Sequence, residues 1–198
     1  MRDINLAREI FNKVYEGYDG YKIYHQEKEN LHFDKLSFIY GEIIFDEFIE
    51  LLKKVKPQKN DIFYDLGSGL SKPSLTISLA FEIKKAVCIE LLPAFIKASK
   101  EVYEKVKEIF PEINEIEFRE ENLLETNLEE ATIVFLHATC FDEKEMEKIE
   151  ENLLKLKPES RIIVITKSLK NNNEFFLSEE GSIRMNWGTA TFRIYQKK

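Results

Sequence analysis

A chain of 198 residues can bury one full hydrophobic core, with room for a small appendage but not for two large domains. Hydrophobic residues at 43% and aromatic residues at 12% exclude a disordered chain. The formal net charge of -7 and a pI near 5.2 count against a protein that lives on nucleic acid, because phosphate binding needs clustered Lys and Arg.

Apolar residues at helical spacing (Ile4, Ala7, Ile10, Phe11, Val14) open the chain, followed by Tyr15, Tyr18, Tyr21 and Tyr24, with Gly17 and Gly20 as helix breakers. This predicts a small helical cap whose tyrosines pack against the body of the protein, with residues 1–40 as cap and lid region and 41–198 as the main domain. A short loop, Phe38-Ile39-Tyr40-Gly41-Glu42, leads into an amphipathic helix ending before Pro57. Strands and helices then alternate. Strands are predicted at Asp61–Asp65, Ala86–Glu90, near Ile116–Phe118, at Thr132–Leu136 and at Arg161–Ile165, and helices over about Lys72–Ile83, Pro93–Phe110 and Glu143–Leu156. That alternation implies a parallel sheet wound on both faces. Two alternating segments, Ser182–Trp187 and Ala190–Tyr195, flank Gly188-Thr189 and predict a terminal antiparallel hairpin. The fold class is therefore α/β: a doubly wound, mostly parallel, seven-stranded Rossmann-like sheet with that hairpin and the N-terminal cap.

Cys88 and Cys140 lie far apart inside apolar runs, which suits packed thiols in a reducing compartment. With no apolar run of membrane-spanning length and no signal pattern, a soluble cytoplasmic protein is expected, with a nuclear location left open for a eukaryotic source. Neither a membrane partner nor a metal site is predicted.

In an open parallel sheet the ligand lies outside the C-terminal strand ends. The first end carries Asp65 and the turn Gly67-Ser68-Gly69, where glycine permits a sharp turn and close approach to a ligand. The second carries Glu90, about twenty-five residues after the turn begins, a place for an acid that accepts from ribose hydroxyls. The third leads to Asn122-Leu123, able to bond and cover an adenine; the fourth to His137 and Phe141; the fifth to Thr166-Lys167-Ser168. Singly, Asp65 also reads as a turn cap and Glu90 as a helix-start acid. Lys72, followed by Pro73, occupies the position of the third glycine of a pyrophosphate fingerprint, which disfavours a dinucleotide. An acid before the glycine turn suits a cationic ligand, and S-adenosyl-L-methionine carries a sulfonium and an ammonium.

The Asp65-Leu66-Gly67-Ser68-Gly69 turn, Tyr40-Gly41-Glu42, Ile89-Glu90, Val134-Phe135 leading to Phe141, and Met185-Asn186-Trp187-Gly188-Thr189-Ala190-Thr191 together resemble the class I S-adenosylmethionine-dependent methyltransferases. Within these they resemble the disruptor-of-telomeric-silencing (non-SET) family of protein lysine methyltransferases, in its short catalytic-domain-only form, over about Tyr15 to Tyr195. The resemblance implies that Tyr40, Gly41 and Glu42 cover the methionine end of the cofactor, that Asp65 and Gly67, Ser68 and Gly69 hold its amino-acid part, Glu90 its ribose, and Asn122 with Leu123 its adenine. The family has glycine where Ser71 stands, Asp where Asn122 stands, and an Asn where His137 or Ala138 stands.

Such an enzyme aligns acceptor, methyl and sulfur for in-line displacement and excludes water. The acceptor lysine must be neutral, so it needs an apolar channel; Phe38, Tyr40, Phe141 and Trp187 are candidates to line it, and His137 to take the proton. The expected partner is a protein offering a lysine, without strong nucleic-acid binding. Two alternatives stand beside this reading: a small-molecule methyltransferase, and a cofactor-binding or interaction protein that has lost catalysis.

Overall fold

A computed structural model describes residues 1–31 and 40–198. Phe38 and Ile39 of the expected lid loop lie outside the described residues.

The chain opens with two helices, α1 (Ile4–Tyr15) and α2 (Gly20–Leu31). The Asp3 carboxylate caps α1 by accepting from the Asn5 and Leu6 N–H groups. Gly17, at φ +85°, makes the break between the helices, whereas Gly20, expected as a second breaker, is the first residue of α2. Helix α3 (Phe45–Val55) buries Phe45, Phe48, Ile49, Leu52 and Val55 on one stripe and keeps its acids in the first turn and its lysines in the last, matching the helix dipole.

A seven-stranded sheet follows in the order β3-β2-β1-β4-β5-β7-β6. Its strands are β1 (Ile62–Leu66), β2 (Lys85–Glu90), β3 (Glu115–Glu120), β4 (Ile133–His137), β5 (Arg161–Ile165), β6 (Phe175–Met185) and β7 (Gly188–Lys197). The first five pair in parallel, and β7 runs antiparallel to both β5 and β6. Helix α4 (Lys72–Ala80) links β1 to β2, α5 (Pro93–Ile109) links β2 to β3, and α6 (Glu143–Leu153) links β4 to β5. The chain thus builds outward from β1 to β3 and then returns to add β4 on the other side of β1. Ligands of open α/β sheets bind at that switch point, outside the carboxyl ends of β1 and β4.

Central β1 is buried along its whole length because both faces are covered, and alternate side chains feed two cores. Phe63, Phe135 and Ile163 join α1, α3, α4 and α5 on one face; Tyr64, Leu66, Val134 and Val164 join Met146, Ile149 and Leu153 of α6 on the other. Cap and body share a core. Tyr15 donates its hydroxyl to the Leu70 carbonyl at 2.7 Å, and Tyr24 is buried.

The differences from expectation fall at element ends. Helix α4 stops at Ala80 because Phe81 turns extended, and α6 stops at Leu153. The hairpin turns at Asn186-Trp187, not at Gly188-Thr189: Met185 pairs with Gly188, and Ile183 with Ala190, so the buried faces of both strands fix the register. Strand β6 begins at Phe175, well before Ser182, its first half being an edge with exposed Phe176, Leu177 and Ser178 and a bulge between Leu177 and Glu179. Both cysteines are free; Cys88 is buried with its pKa pushed up to about 12, and Cys140 is half-buried. Among the described residues no helix is long and apolar enough to cross a membrane, and no group of three or more His, Cys, Asp or Glu could hold a metal.

Candidate active site

A cavity of about 240 Å³ opens at the switch point. Of the residues singled out in the sequence, Tyr40, Gly41, Glu42, Asp65, Gly67, Ser68, Gly69, Glu90, Asn122, Leu123, His137 and Phe141 all line it. Trp187 does not; it stacks on His137 at the rim, with ring centroids 5.9 Å apart.

The floor is the glycine turn between β1 and α4. Gly67 and Gly69 both have positive φ, and Ser71, also left-handed at φ 56°, leads into the helix. A left-handed non-glycine residue costs roughly 1–2 kcal/mol. Hydroxyl bonds to Ser99 (3.0 Å) and Ser68 (3.4 Å) hold Ser71 there, so the turn keeps its shape without the family's glycine.

Two buried carboxylates stand at adjacent strand ends and behave differently. The Asp65 Oδ2 accepts from the Ser74 hydroxyl at 3.0 Å and from the Ser74 N–H at 3.3 Å. Burial raises the Asp65 carboxyl to about 7; the Ser74 bonds pull against this, and Glu90 nearby adds to it. Asp65 is thus a buried acid with spare acceptor capacity and no cationic partner among the described residues. Glu90 is committed: Oε2 accepts from the Gly69 N–H at 2.8 Å, and Oε1 from those of Leu91 (2.8 Å) and Leu92 (2.9 Å). Burial raises its pKa while those three bonds oppose the rise. A carboxylate has about four acceptor positions. Glu90 therefore uses one of them to pin the glycine turn to the end of β2 and two to bond the backbone just after that strand, and has roughly one for a ligand.

Asn122 spends its side-chain oxygen locally, accepting from the Leu124 N–H at 3.1 Å. That turn fixes the orientation of the amide and leaves its NH₂ donor and one further lone pair on the oxygen for a ligand, so the expected bond from an adenine amine stays open to it. The Leu123 side chain comes within 3.5 Å of where a Cβ on Gly67 would stand, so the missing side chain leaves room beside it.

The roof is the segment Tyr40-Gly41-Glu42. The Tyr40 ring stacks on Phe95 at 4.9 Å, meets the edge of Tyr21 at 5.4 Å, and donates its hydroxyl to Glu42 Oε1 at 2.7 Å. Burial, with Glu42 nearby, raises its pKa well above that of a free phenol. Glu42 Oε2 pairs with Lys72 Nζ at 2.6 Å, tying the roof to the start of α4.

The hairpin tip closes the assembly. Asn186 accepts from the Glu42 N–H at 3.0 Å, donates to the Tyr21 hydroxyl at 2.9 Å, and gives its own N–H to the Glu42 carbonyl at 3.2 Å, beside a bridge between Ile43 and Met185. One side chain thus joins cap helix, roof and hairpin. Trp187 is the chain's one tryptophan. Replacing Asn186 with Ala is expected to cost about 1 kcal/mol for the exposed bonds, shift the Trp187 emission to the red and raise hydrogen exchange at residues 40–43. Unchanged emission and exchange would mean that the tip is held by the strands alone.

His137 accepts or donates at 3.1 Å to the Thr139 hydroxyl, which meets that of Thr166 at 2.8 Å. Burial lowers the imidazole to about 4. It is neutral near pH 7 and a weak base, which speaks against its expected role as the group that keeps a proton taken from an amine.

Sequence reasoning missed three contributors. Lys72 registered only as a bar to pyrophosphate, Asn186 only as part of the family-like hairpin segment, and Gly20, whose missing Cβ leaves room for the Tyr40 ring, only as a helix breaker. Each acts through partners distant in the chain, and no local pattern marks such a role.

Comparison with known proteins bears on the family and the fold. The histone-lysine N-methyltransferase, H3 lysine-79 specific, of Caenorhabditis elegans is 28% identical over 148 residues, which cover 70% of this chain but 16% of that relative. Solved structures with the same fold include an RNA methyltransferase from Salinibacter ruber in complex with S-adenosyl-L-homocysteine (TM-score 0.58, 22% identity, 78% of this chain and 90% of that one). TrmN from Thermus thermophilus (TM-score 0.61, 11% identity, 78% and 48%) and the Bacillus subtilis tRNA methyltransferase TrmK (TM-score 0.60, 14% identity, 79% and 66%) share it too. At these identities the structures speak for the fold alone. The profile of the histone methylation protein DOT1 matches residues 23–185, most of the chain. The chain belongs to the DOT1 family of histone methylation proteins.

Proposed function

We propose that the protein transfers a methyl group from S-adenosyl-L-methionine to the side-chain amine of a lysine in a protein. The observation that carries this reading is the pair of buried acids at the ends of β1 and β2, under a Tyr-Gly-Glu roof, in a chain of the DOT1 family. The donor set fits the cofactor: Asp65 is short of a positive partner and suits an ammonium, and Glu90 retains an acceptor position for a ribose hydroxyl. When bound, S-adenosyl-L-methionine supplies a methyl group on a sulfonium, open to in-line displacement.

With residues 1–40 taken as cap and lid on a domain of 41–198, the chain's own groups divide the work. Gly67, Ser68 and Gly69 would cradle the amino-acid end, and Asn122 with Leu123 would flank the adenine. Tyr40, fixed by Phe95 and Glu42, would shield the reacting centre from water. On the acceptor side stand Phe135, Phe141 and a neutral His137, which add no charge against an approaching amine. An ammonium entering such walls is pushed toward its neutral, nucleophilic form by desolvation. His137 is assigned to the wall and to orientation through Thr139, and the proton leaves to solvent. Trp187, stacked on His137, would border the entrance.

A relative named for a histone lysine favours a protein acceptor, and it lends no support to the cytoplasmic location expected from the lack of an apolar span and a signal pattern. The test is incubation with labelled S-adenosyl-L-methionine, purified histones and a cell extract, followed by mass spectrometry. Label on lysine side chains is expected. Label confined to metabolites would move the protein to small-molecule chemistry, and binding without transfer would leave a cofactor-binding protein without turnover.

A further inference from the structure

The charged groups of the cavity are unbalanced. Glu42, Asp65, Glu90, Glu121 and Glu145 line it, and among the described lining residues Lys72 is the one Lys or Arg. Its side chain is only 15% exposed, held by Glu42 at 2.6 Å and by the Tyr15 ring face at 5.1 Å. An ammonium has three N–H donors, and Glu42 Oε2 takes one. Lys72 also opens α4, whose first turn bonds Asp65 through Ser74, and Ser71 provides no side-chain cap. A free acid and a tethered cation are therefore anchored to the same helix start, where the dipole favours an anion.

The amino-acid end of S-adenosyl-L-methionine carries one ammonium and one carboxylate. Asp65 suits the first. In a cavity otherwise lined by acids, the second needs a cation. Resting on the function proposed above, we infer that Lys72 is the counter-ion of the cofactor's carboxylate, and that Glu42 positions it. The bland alternative is that Lys72 merely pins the roof through Glu42.

Calorimetric titration with S-adenosyl-L-methionine and with its decarboxylated form separates the two. The wild type is expected to bind the carboxylate-bearing ligand at least about tenfold more tightly, as suits a charge-assisted contact. Lys72→Met and Lys72→Gln should lose about tenfold or more for that ligand and lose nothing for the decarboxylated one, whose extra net positive charge Lys72 repels. Equal losses for both ligands, or a wild type that does not discriminate between them, overturn this inference and leave the methyltransferase reading standing. If neither variant folds, the wild-type Lys72 Nζ resonance is the readout: it should shift with the carboxylate-bearing ligand and not with the decarboxylated one, and the same response to both overturns the inference. A wild type that binds no S-adenosyl-L-methionine overturns both.

Discussion

At pH 8 the Asp65→Asn protein is expected to melt higher than the wild type and to bind S-adenosyl-L-methionine about a hundredfold more weakly. Both effects come from one buried carboxyl group. In the folded chain its pKa is pushed up to about 7, against 3.8 for an unperturbed aspartate, because burial penalises its charge, Glu90 adds to the rise, and among the described residues no cation pairs with it. Between about pH 4 and pH 7 the folded state holds a proton that the unfolded chain has released, so this group makes stability fall as pH rises through that window and level off above it. At 1.36 kcal/mol per unit, the wild type should be about 3 kcal/mol less stable at pH 8 than at pH 5 on this account, and Asn removes the difference. Thermal melts of both proteins at the two pH values measure it directly.

Binding carries the opposite sign. A ligand ammonium meets only the charged form of Asp65, so wild-type affinity should rise by up to tenfold per unit as pH approaches 7, then flatten. The Asn variant should show a flat profile at low affinity. The site stores instability that the ligand's charge relieves, a recurrent cost of function. An Asn variant that binds like the wild type would remove Asp65 from the site, whatever its melting temperature.

How much of this was legible in the sequence depends on the range of the interaction concerned. The β/α alternation, the glycine turn and the acids at the strand ends are local patterns, and they located the sheet and part of the lining of the cavity. Strand β6 was half hidden, since Ser178, Glu179, Glu180 and Gly181 form an edge whose pairing owes nothing to apolar alternation. Glu90 was placed but its bonds were not: three backbone N–H groups from two loops converge on it, and convergence is a property of the folded chain. His137 was proposed as a base from the ordinary pKa of imidazole, and only its burial shows that it stays neutral and weak. Lys72 and Asn186 look like any polar residues until Glu42 is found between them.

Gly20 supplies the second large effect, because in sequence it reads only as a helix breaker and in space it faces the glycine turn across a tyrosine ring. A Cβ on Gly69 would stand 2.5 Å from Tyr40 Cε2, and one on Gly20 would stand 2.5 Å from the Tyr40 hydroxyl. The ring cannot slide aside, since Phe95 stacks on it, Tyr21 abuts it and Glu42 holds its hydroxyl. Gly69→Ala should therefore expel Tyr40 and lose at least about tenfold in S-adenosyl-L-methionine affinity. At φ 51° it also pays roughly 1–2 kcal/mol of backbone strain, so its effects are mixed. Gly20→Ala is the cleaner probe. Gly20 opens helix α2 without a positive φ, and Ala is the better helix former by up to about 1 kcal/mol. The loss it causes is expected to come through Tyr40, whose ring atoms are the nearest to the added Cβ. The expected cycle is a loss of at least about tenfold in affinity for Gly20→Ala alone and a similar loss for Tyr40→Ala alone. The double variant should be no worse than Tyr40→Ala and somewhat more stable. If Gly20→Ala weakens binding equally in the presence and absence of the ring, then α2 acts on the cavity by another route, and the pinch on Tyr40 is not what shapes the roof.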